Sequence, residues 1–299
     1  MNQNHIPVIV GDGEAQKRFI TTHEAFLREF PEIQALFGKM IHLTLARYNE
    51  KRDSEKAGSE QQDQKCTDLR LAQIIVFYLW RTAFDDYGDL LILAGNGRGI
   101  GAKKLLRGMY EHLVTAAFIA QNPAEAKAFN DHAAVEKGKI WNRLVEIDPS
   151  IRDESTPEEI QGIEDRFRKA QAQVKSELCN KCGQPVTQEA WTRASVDTMA
   201  AKVDAISGTD LAKLYASYYL MPTYHAHPTA YGLESRLQTT DDGLAFKELS
   251  EHEATDTVMR AHILILRLFK LFNGYFQLGL DGEVGVRRDS FAEIWGFQE

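Results

Sequence analysis

Positive charge is in short supply in this chain. Its 299 residues carry 35 Lys and Arg against 43 Asp and Glu, a formal net charge of −8. That balance argues against a broad electrostatic footprint for duplex nucleic acid and leaves room only for a local basic cleft. Cysteine is scarcer still: Cys66, Cys179 and Cys182 are an odd number in a chain with no export-type leader, which speaks against a disulfide framework. Long apolar runs are missing too. The most apolar stretches, Ile74 to Trp80 and Ile263 to Phe276, are short or interrupted by Arg267 and Lys270, well under the roughly 20 residues of a membrane span. A soluble, cytoplasmic protein is expected. With 43% hydrophobic and 26% charged residues, the composition is that of a globular chain that builds its own core.

What is present is helical period. Residues Met1 to Gly13 read as an arm, Ala15 to Phe30 as a first helix ended by Pro31, and Ile33, Leu36, Phe37, Met40, Ile41 and Leu45 as the inward face of a second. Asn49 to Lys65 has no large apolar residue and reads as a solvated connection, so residues 1–66 are expected to form an N-terminal helical extension and polar linker. Cys66 is then a thiol near a helix start. A long helix is expected from Asp68 to Ala94. The following Gly95-Asn-Gly-Arg-Gly-Ile-Gly101 does not follow a strand in a βαβ unit, so it is a helix-to-helix turn rather than a phosphate loop. Further helices are expected over Glu125 to Ile147, from a capping box at Thr156 and Glu159 to Leu178, over Gln188 to Val203, from Asp210, and over Glu251 to Leu278. Gln238 to Gly243 reads as a polar turn. Residues 67–280 thus form a helical bundle domain. The last stretch, 281–299, is an aromatic tail whose Phe291, Ile294, Trp295 and Phe297 suit docking on this or a neighbouring subunit.

The helix Lys104 to Ala120 is apolar almost all round, as a buried helix must be. Its exception is Arg107 with Glu111, four residues and about 40° apart and in the same sector as Val114 and Phe118. The pair is either a buried structural salt bridge or part of a site completed by another helix. Arg98, Lys103 and Lys104 add positive charge at the start of this helix, where an anion can sit.

A second polar group comes from Leu214-Tyr-Ala-Ser-Tyr-Tyr-Leu-Met-Pro-Thr-Tyr-His-Ala-His-Pro228. If the helix continues through Pro222, Tyr219, Thr223 and His227 fall at i, i+4 and i+8 as one strip of hydrogen-bonding groups, with His225 on a different side. Either they are satisfied core residues or they face the Arg107 pair. Cys179-Asn-Lys-Cys182-Gly183 has the geometry of half a tetrahedral zinc site, whose other ligands would be distant histidines, Cys66 or the same turn of a second subunit. A redox pair and unliganded thiols are the alternatives.

Leu-Leu-Arg107-x-x-x-Glu111 followed by Asn122-Pro123, and Tyr219-x-x-x-Thr223-x-x-x-His227-Pro228, resemble the motifs of a bacterial helical family of unknown function related to the HEPN superfamily. In that family Ser is usual where Thr223 stands, and Thr keeps the hydroxyl. The resemblance implies an all-α, HEPN-like helical bundle with peripheral helices, the two motif helices facing each other, and an activity like that of HEPN relatives. Those are often dimeric, metal-independent ribonucleases of stress or phage defence. An Arg107/His112 pair meets the HEPN spacing only formally, since the two lie about 140° apart on a straight helix. The expected catalytic set is Arg107 as phosphate clamp, Glu111 orienting it, Tyr219 and Thr223 as positioning donors and His227 as base or acid, with RNA as the partner and a homodimer as the assembly. The alternative is a non-catalytic helical sensor or partner-binding subunit in which the same residues form a buried polar network.

Overall fold

A computed structural model describes residues 13–56, 64–174, 190–241, 243–247 and 250–297. In chain order the helices are α1 (Gly13–Thr22), α2 (Glu24–Lys56), α3 (Gln64–Gly95), α4 (Gly99–Gln121), α5 (Glu125–Ile147), α6 (Ile151–Glu154) and α7 (Pro157–Val174). There follow α8 (Val196–Ser207), α9 (Leu211–Tyr215), a π turn (Ala216–Leu220), α10 (Met221–Ala226), α11 (Ala230–Glu234), α12 (Glu251–Phe276) and α13 (Asp281–Trp295). The fold is all-α. Its one sheet among the described residues is an antiparallel hairpin, β1 (Leu237–Thr240) with β2 (Gly243–Phe246), in the register Leu237 to Phe246.

Helix α4 is the axis of the bundle because its sequence leaves it no solvent face over its second half: Leu113 to Ile119 are buried without interruption. Helices α3 and α12 enclose one side, α8 and the π turn with α10 the other. Helices α5 and α7 form a lateral hairpin, and α1, α2 and α13 pack outside α3 and α12. An aromatic seam joins α2, α3 and α12. Phe37 stacks on Phe84 and Trp80 on Phe272, each with centroids 3.6 Å apart, and Phe269 lies beside them. The ends of α4 and α12 meet at Gly99, where a Cβ would overlap the backbone of Ser250 and Ala254.

Several expectations change. The helix expected from Gln188 begins only at Val196, residues 190–194 being bends. Pro31 does not end a helix; it lies on the exposed face inside α2, where its missing N–H removes a single helical bond. The interruption falls instead at His23, held by Thr255 through Nε2 at 3.1 Å and by the rings of Phe19 and Trp295. The polar connection is helical at both ends, to Lys56 and from Gln64. The stretch Gln238 to Gly243 lies within the hairpin. The capping box is present: Glu159 Oε2 accepts from the Thr156 N–H at 2.9 Å while Thr156 Oγ1 accepts from the Glu159 N–H at 3.3 Å.

The aromatic tail docks on its own chain as α13. Trp295 Nε1 donates to His262 Nδ1 at 3.2 Å within a nest of Phe26, Phe291 and His23, and Arg287 pairs with the Glu29 carboxylate at 2.9 Å. His262 is fully buried and its Nε2 has no partner among the described residues. Burial therefore pulls its pKa from 6.5 down to about 4. The native state binds fewer protons than the unfolded chain between those values, so stability falls as pH drops below 6.5. By pH 5 the loss from this group is on the order of 2 kcal/mol. Urea midpoints at pH 7.5 and 5 should drop less for His262→Phe than for the wild type; equal drops would exclude His262 as the source.

Candidate functional site

The polar face of α4 is a stripe. Lys104, Arg107 and Glu111 fall within roughly 60° of one another around the axis, and the segment from α9 to α11 runs across them. Asp204 fixes how that segment enters: its carboxylate accepts from the backbone N–H groups of Leu211 and Ala212, each at 2.8 Å, and from Thr209 Oγ1 at 2.6 Å. Tyr110 then ties the segment to α4 through its hydroxyl on the Leu211 carbonyl at 2.7 Å. Pro222 has no N–H to give to the carbonyl four residues back and its ring would press on that carbonyl. The wide turn of Ala216–Leu220 sits directly before it, with the Met221 N–H bonded to the Ala216 carbonyl, five residues back.

The helix does continue through Pro222, but it stops at Ala226. His227 is extended, with φ −106° and ψ 156°, so it leaves the strip that Tyr219 and Thr223 share. The Thr223 hydroxyl donates to the Tyr219 carbonyl at 2.6 Å and is thereby committed to the backbone. Tyr219 meets α4: Arg107 Nη2 lies 3.4 Å from its hydroxyl, and the guanidinium carbon is 5.0 Å from its ring centroid. Tyr215 stacks on Tyr219 at 5.4 Å, and Tyr110 approaches both. Arg107 and Glu111 do not form the buried salt bridge that their sector suggests. Nη2 and Oε2 are 3.9 Å apart and the side chains are 28% and 43% exposed. Arg107 Nε is buried with no hydrogen-bond partner among the described residues.

His227 opens into a cleft of about 510 Å³ next to this contact, and Lys104, His225 and Arg236 line the same cleft. The chain is bent back to make it. Pro228 sits in a tight turn in which the Thr229 N–H bonds the His227 carbonyl at 2.9 Å. Thr229 Oγ1 caps α11 by accepting from the Gly232 N–H at 3.0 Å and donates to the Tyr224 carbonyl at 2.8 Å. No carboxylate lines the cleft among the described residues, and neither Lys104 nor Arg236 has an ion-pair partner there. His225 Nδ1 is 3.2 Å from Ser235 Oγ, which itself lies 2.9 Å from the Gly232 carbonyl. The tautomer that satisfies both contacts protonates Nδ1 and leaves Nε2 as the basic nitrogen. Burial first, then the ammonium of Lys103, hold His225 below the ordinary imidazole value.

The start of α4 is not an open anion site. The Ile100 N–H is taken by Ser250 Oγ at 3.1 Å, and Lys103 pairs with Glu253 and lies 3.8 Å from Asp256. Lys104, one residue on, faces the cleft instead. Thus Arg107, Tyr219 and Thr223 gather, Glu111 stands beside them, and His227 lies around the corner with three residues that spacing did not assign. His225 is legible only as the neighbour of His227, and Arg236 carries no local signal because the turn at Pro228 brings it back. His112 belongs elsewhere, with Nδ1 3.2 Å from Asp86 Oδ2. Cys179 and Cys182 lie outside the described residues, and Cys66 contributes only its place in α3. Among the described residues no three His, Cys, Asp or Glu side chains group as metal ligands. No described helix is long and apolar enough to cross a membrane.

A family of unknown function, DUF5677, matches residues 73–244, more than half of the chain, and the chain belongs to that family. The match spans α3 to the start of β2 and so includes both walls of the cleft. No curated protein and no solved structure matches the chain.

Gly232 is required by the cleft floor, since a Cβ there would overlap the Tyr224 carbonyl. Gly232→Ala should cost about 1–3 kcal/mol of unfolding free energy. The exposed helical Gly274, with nothing within 4 Å of its Cβ position, should gain stability as Gly274→Ala. Urea titration of the two variants checks both signs.

Proposed function

We propose that this chain is a metal-independent ribonuclease, HEPN-like in architecture, whose cleavage centre is the cleft at His227. The observation that carries the reading is the make-up of the cleft wall: two imidazoles, an ammonium and a guanidinium, with no carboxylate to neutralise them. RNA cleavage without a metal needs a base on the 2′-hydroxyl, an acid for the leaving oxygen and cations on the phosphate. His225, held neutral and basic at Nε2, takes the 2′-hydroxyl proton as O2′ attacks phosphorus. His227 returns a proton to O5′ as the P–O5′ bond breaks, leaving a 2′,3′-cyclic phosphate and a 5′-hydroxyl. Lys104 and Arg236 hold the phosphate. Arg107 is the next cation along the α4 stripe, positioned by Tyr219 and Glu111, while Thr223 holds the backbone that presents them.

A second reading, a non-catalytic sensor or partner-binding subunit, is favoured by one observation. The hydroxyls of Thr223 and Tyr110 both end on backbone carbonyls, as in a network that fixes packing.

Incubation of a mixed RNA pool with the wild type in EDTA decides between them. His225→Ala and His227→Ala, shown by circular dichroism to be folded, should each lose about 10²–10⁴-fold in rate. Because His225 is held below the ordinary imidazole value, the acid limb of the pH–rate profile, on which the base becomes protonated, should lie below pH 6.5. An inert wild type, or folded histidine variants that still cut, would hand the cluster to the second reading.

A further inference from the structure

A second recess lies at the far end of the bundle, where α2 and α3 pass the C-terminus of α12. The aromatic seam holds α2 and α3 apart with the rings of Phe37, Trp80 and Phe84. Past the end of the seam no ring fills the gap, and a groove of about 470 Å³ opens. Its walls are Tyr48 from α2, Phe77 and Tyr78 from α3, and Phe276 from α12, with Ile74 between the rings. Tyr78 is 62% exposed and Ile74 37%, apolar surface left in water.

At one end stands Arg47. Its Nη1 donates to the carbonyls of Phe276, at 2.6 Å, and Gln277, where the left-handed φ of Gln277 closes α12. That contact fixes the plane of the guanidinium while Nε and Nη2 make no hydrogen bond among the described residues. No Asp or Glu among the described residues lines the groove. We propose that this groove binds a small aromatic carboxylic acid, its ring among Tyr48, Phe77 and Tyr78 and its carboxylate on the free edge of Arg47. The volume is that of a small-molecule site, the walls are ring-rich, and the only charged lining residue among those described is Arg47, which favours an anion over a neutral or cationic ligand of equal size. A carboxylate on the guanidinium would also complement the fork geometry that Arg offers. The proposal is independent of the ribonuclease reading.

Calorimetric titration of the full chain with 2-naphthoate, and with 2-naphthylmethanol as its neutral counterpart, tests it. Saturable 1:1 binding of naphthoate is expected, at least tenfold tighter than that of the alcohol. Ile74→Trp, which fills the groove, should weaken both at least tenfold. Arg47→Gln should weaken naphthoate alone, and Gln73→Glu, which sets a carboxylate in the groove without touching the end of α12, should do the same even if Arg47→Gln proves unstable. No saturable heat, naphthoate binding unchanged in Ile74→Trp, or equal losses of acid and alcohol in Gln73→Glu would overturn the assignment. So would sedimentation showing a wild-type dimer that Ile74→Trp dissociates, since the groove would then be an interface between copies.

Discussion

The constraint on which this structure depends is the enclosure of α4. A helix whose residues 113–119 are all buried cannot be stable on a surface, so it recruits a neighbour on every side. Lys103 and His112 of α4 pair with the neighbouring helices α12 and α3, and the remaining charged residues near the helix start, Lys104, Arg107 and Glu111, form one stripe. The segment that covers this stripe is the least regular of the bundle, a short helix, a π turn and another short helix. Irregularity follows from Pro222, and it has a consequence: the helix ends four residues later and releases His227 into an open cleft rather than into the core.

Two adjacent lysines show how the site acquires its charge. Lys103 and Lys104 are about 100° apart around α4. Lys103 turns to α12, where it meets Glu253 and Asp256, and Asp256 is itself held by Arg260 at 2.8 and 2.9 Å. Lys104 turns the other way and keeps its charge. The ladder on α12 therefore does more than tie two helices together; it pairs Glu253, a carboxylate that acts on His225, with a cation. Lys103 thereby opposes the pull of Glu253 on the His225 proton, adding to the burial that holds this imidazole below its ordinary value.

How much of this was legible in the sequence depended on whether the signal was local. The capping box at Thr156 is a contact across three residues and was readable as written. The helices over Glu125–Ile147 and Asp68–Ala94 carry their own period and stop signals. Arg107 and Tyr219 were legible as members of two motifs, and they do meet. What failed depended on backbone geometry that residue spacing does not carry. Pro31 was read as a break, although its place on the solvent face of α2 makes the lost bond cheap. The Tyr219, Thr223, His227 strip assumed a regular helix, and a π turn followed by a stop at Ala226 cannot be seen in spacing alone. Arg236 was invisible for the same reason: the tight turn at Pro228 and the close approach at Gly232 bring it back to the cleft, and neither depends on Arg236 itself.

The acidity of the chain bears on what kind of ligand the cleft suits. With a net charge of −8, the surface as a whole repels a polyanion, and at physiological salt that repulsion is screened beyond about 8 Å. Attraction begins only where Lys104, Arg236 and the imidazoles dominate, within a recess the size of a few nucleotides at most. A long duplex would bring many phosphates against acidic surface for every one it placed in the cleft. A flexible strand or a loop can enter with one or two phosphates and keep the rest in solvent. The charge balance that argues against duplex binding is thus compatible with the proposed ribonuclease, in which the cleft wall rather than the outer surface would meet a single phosphodiester.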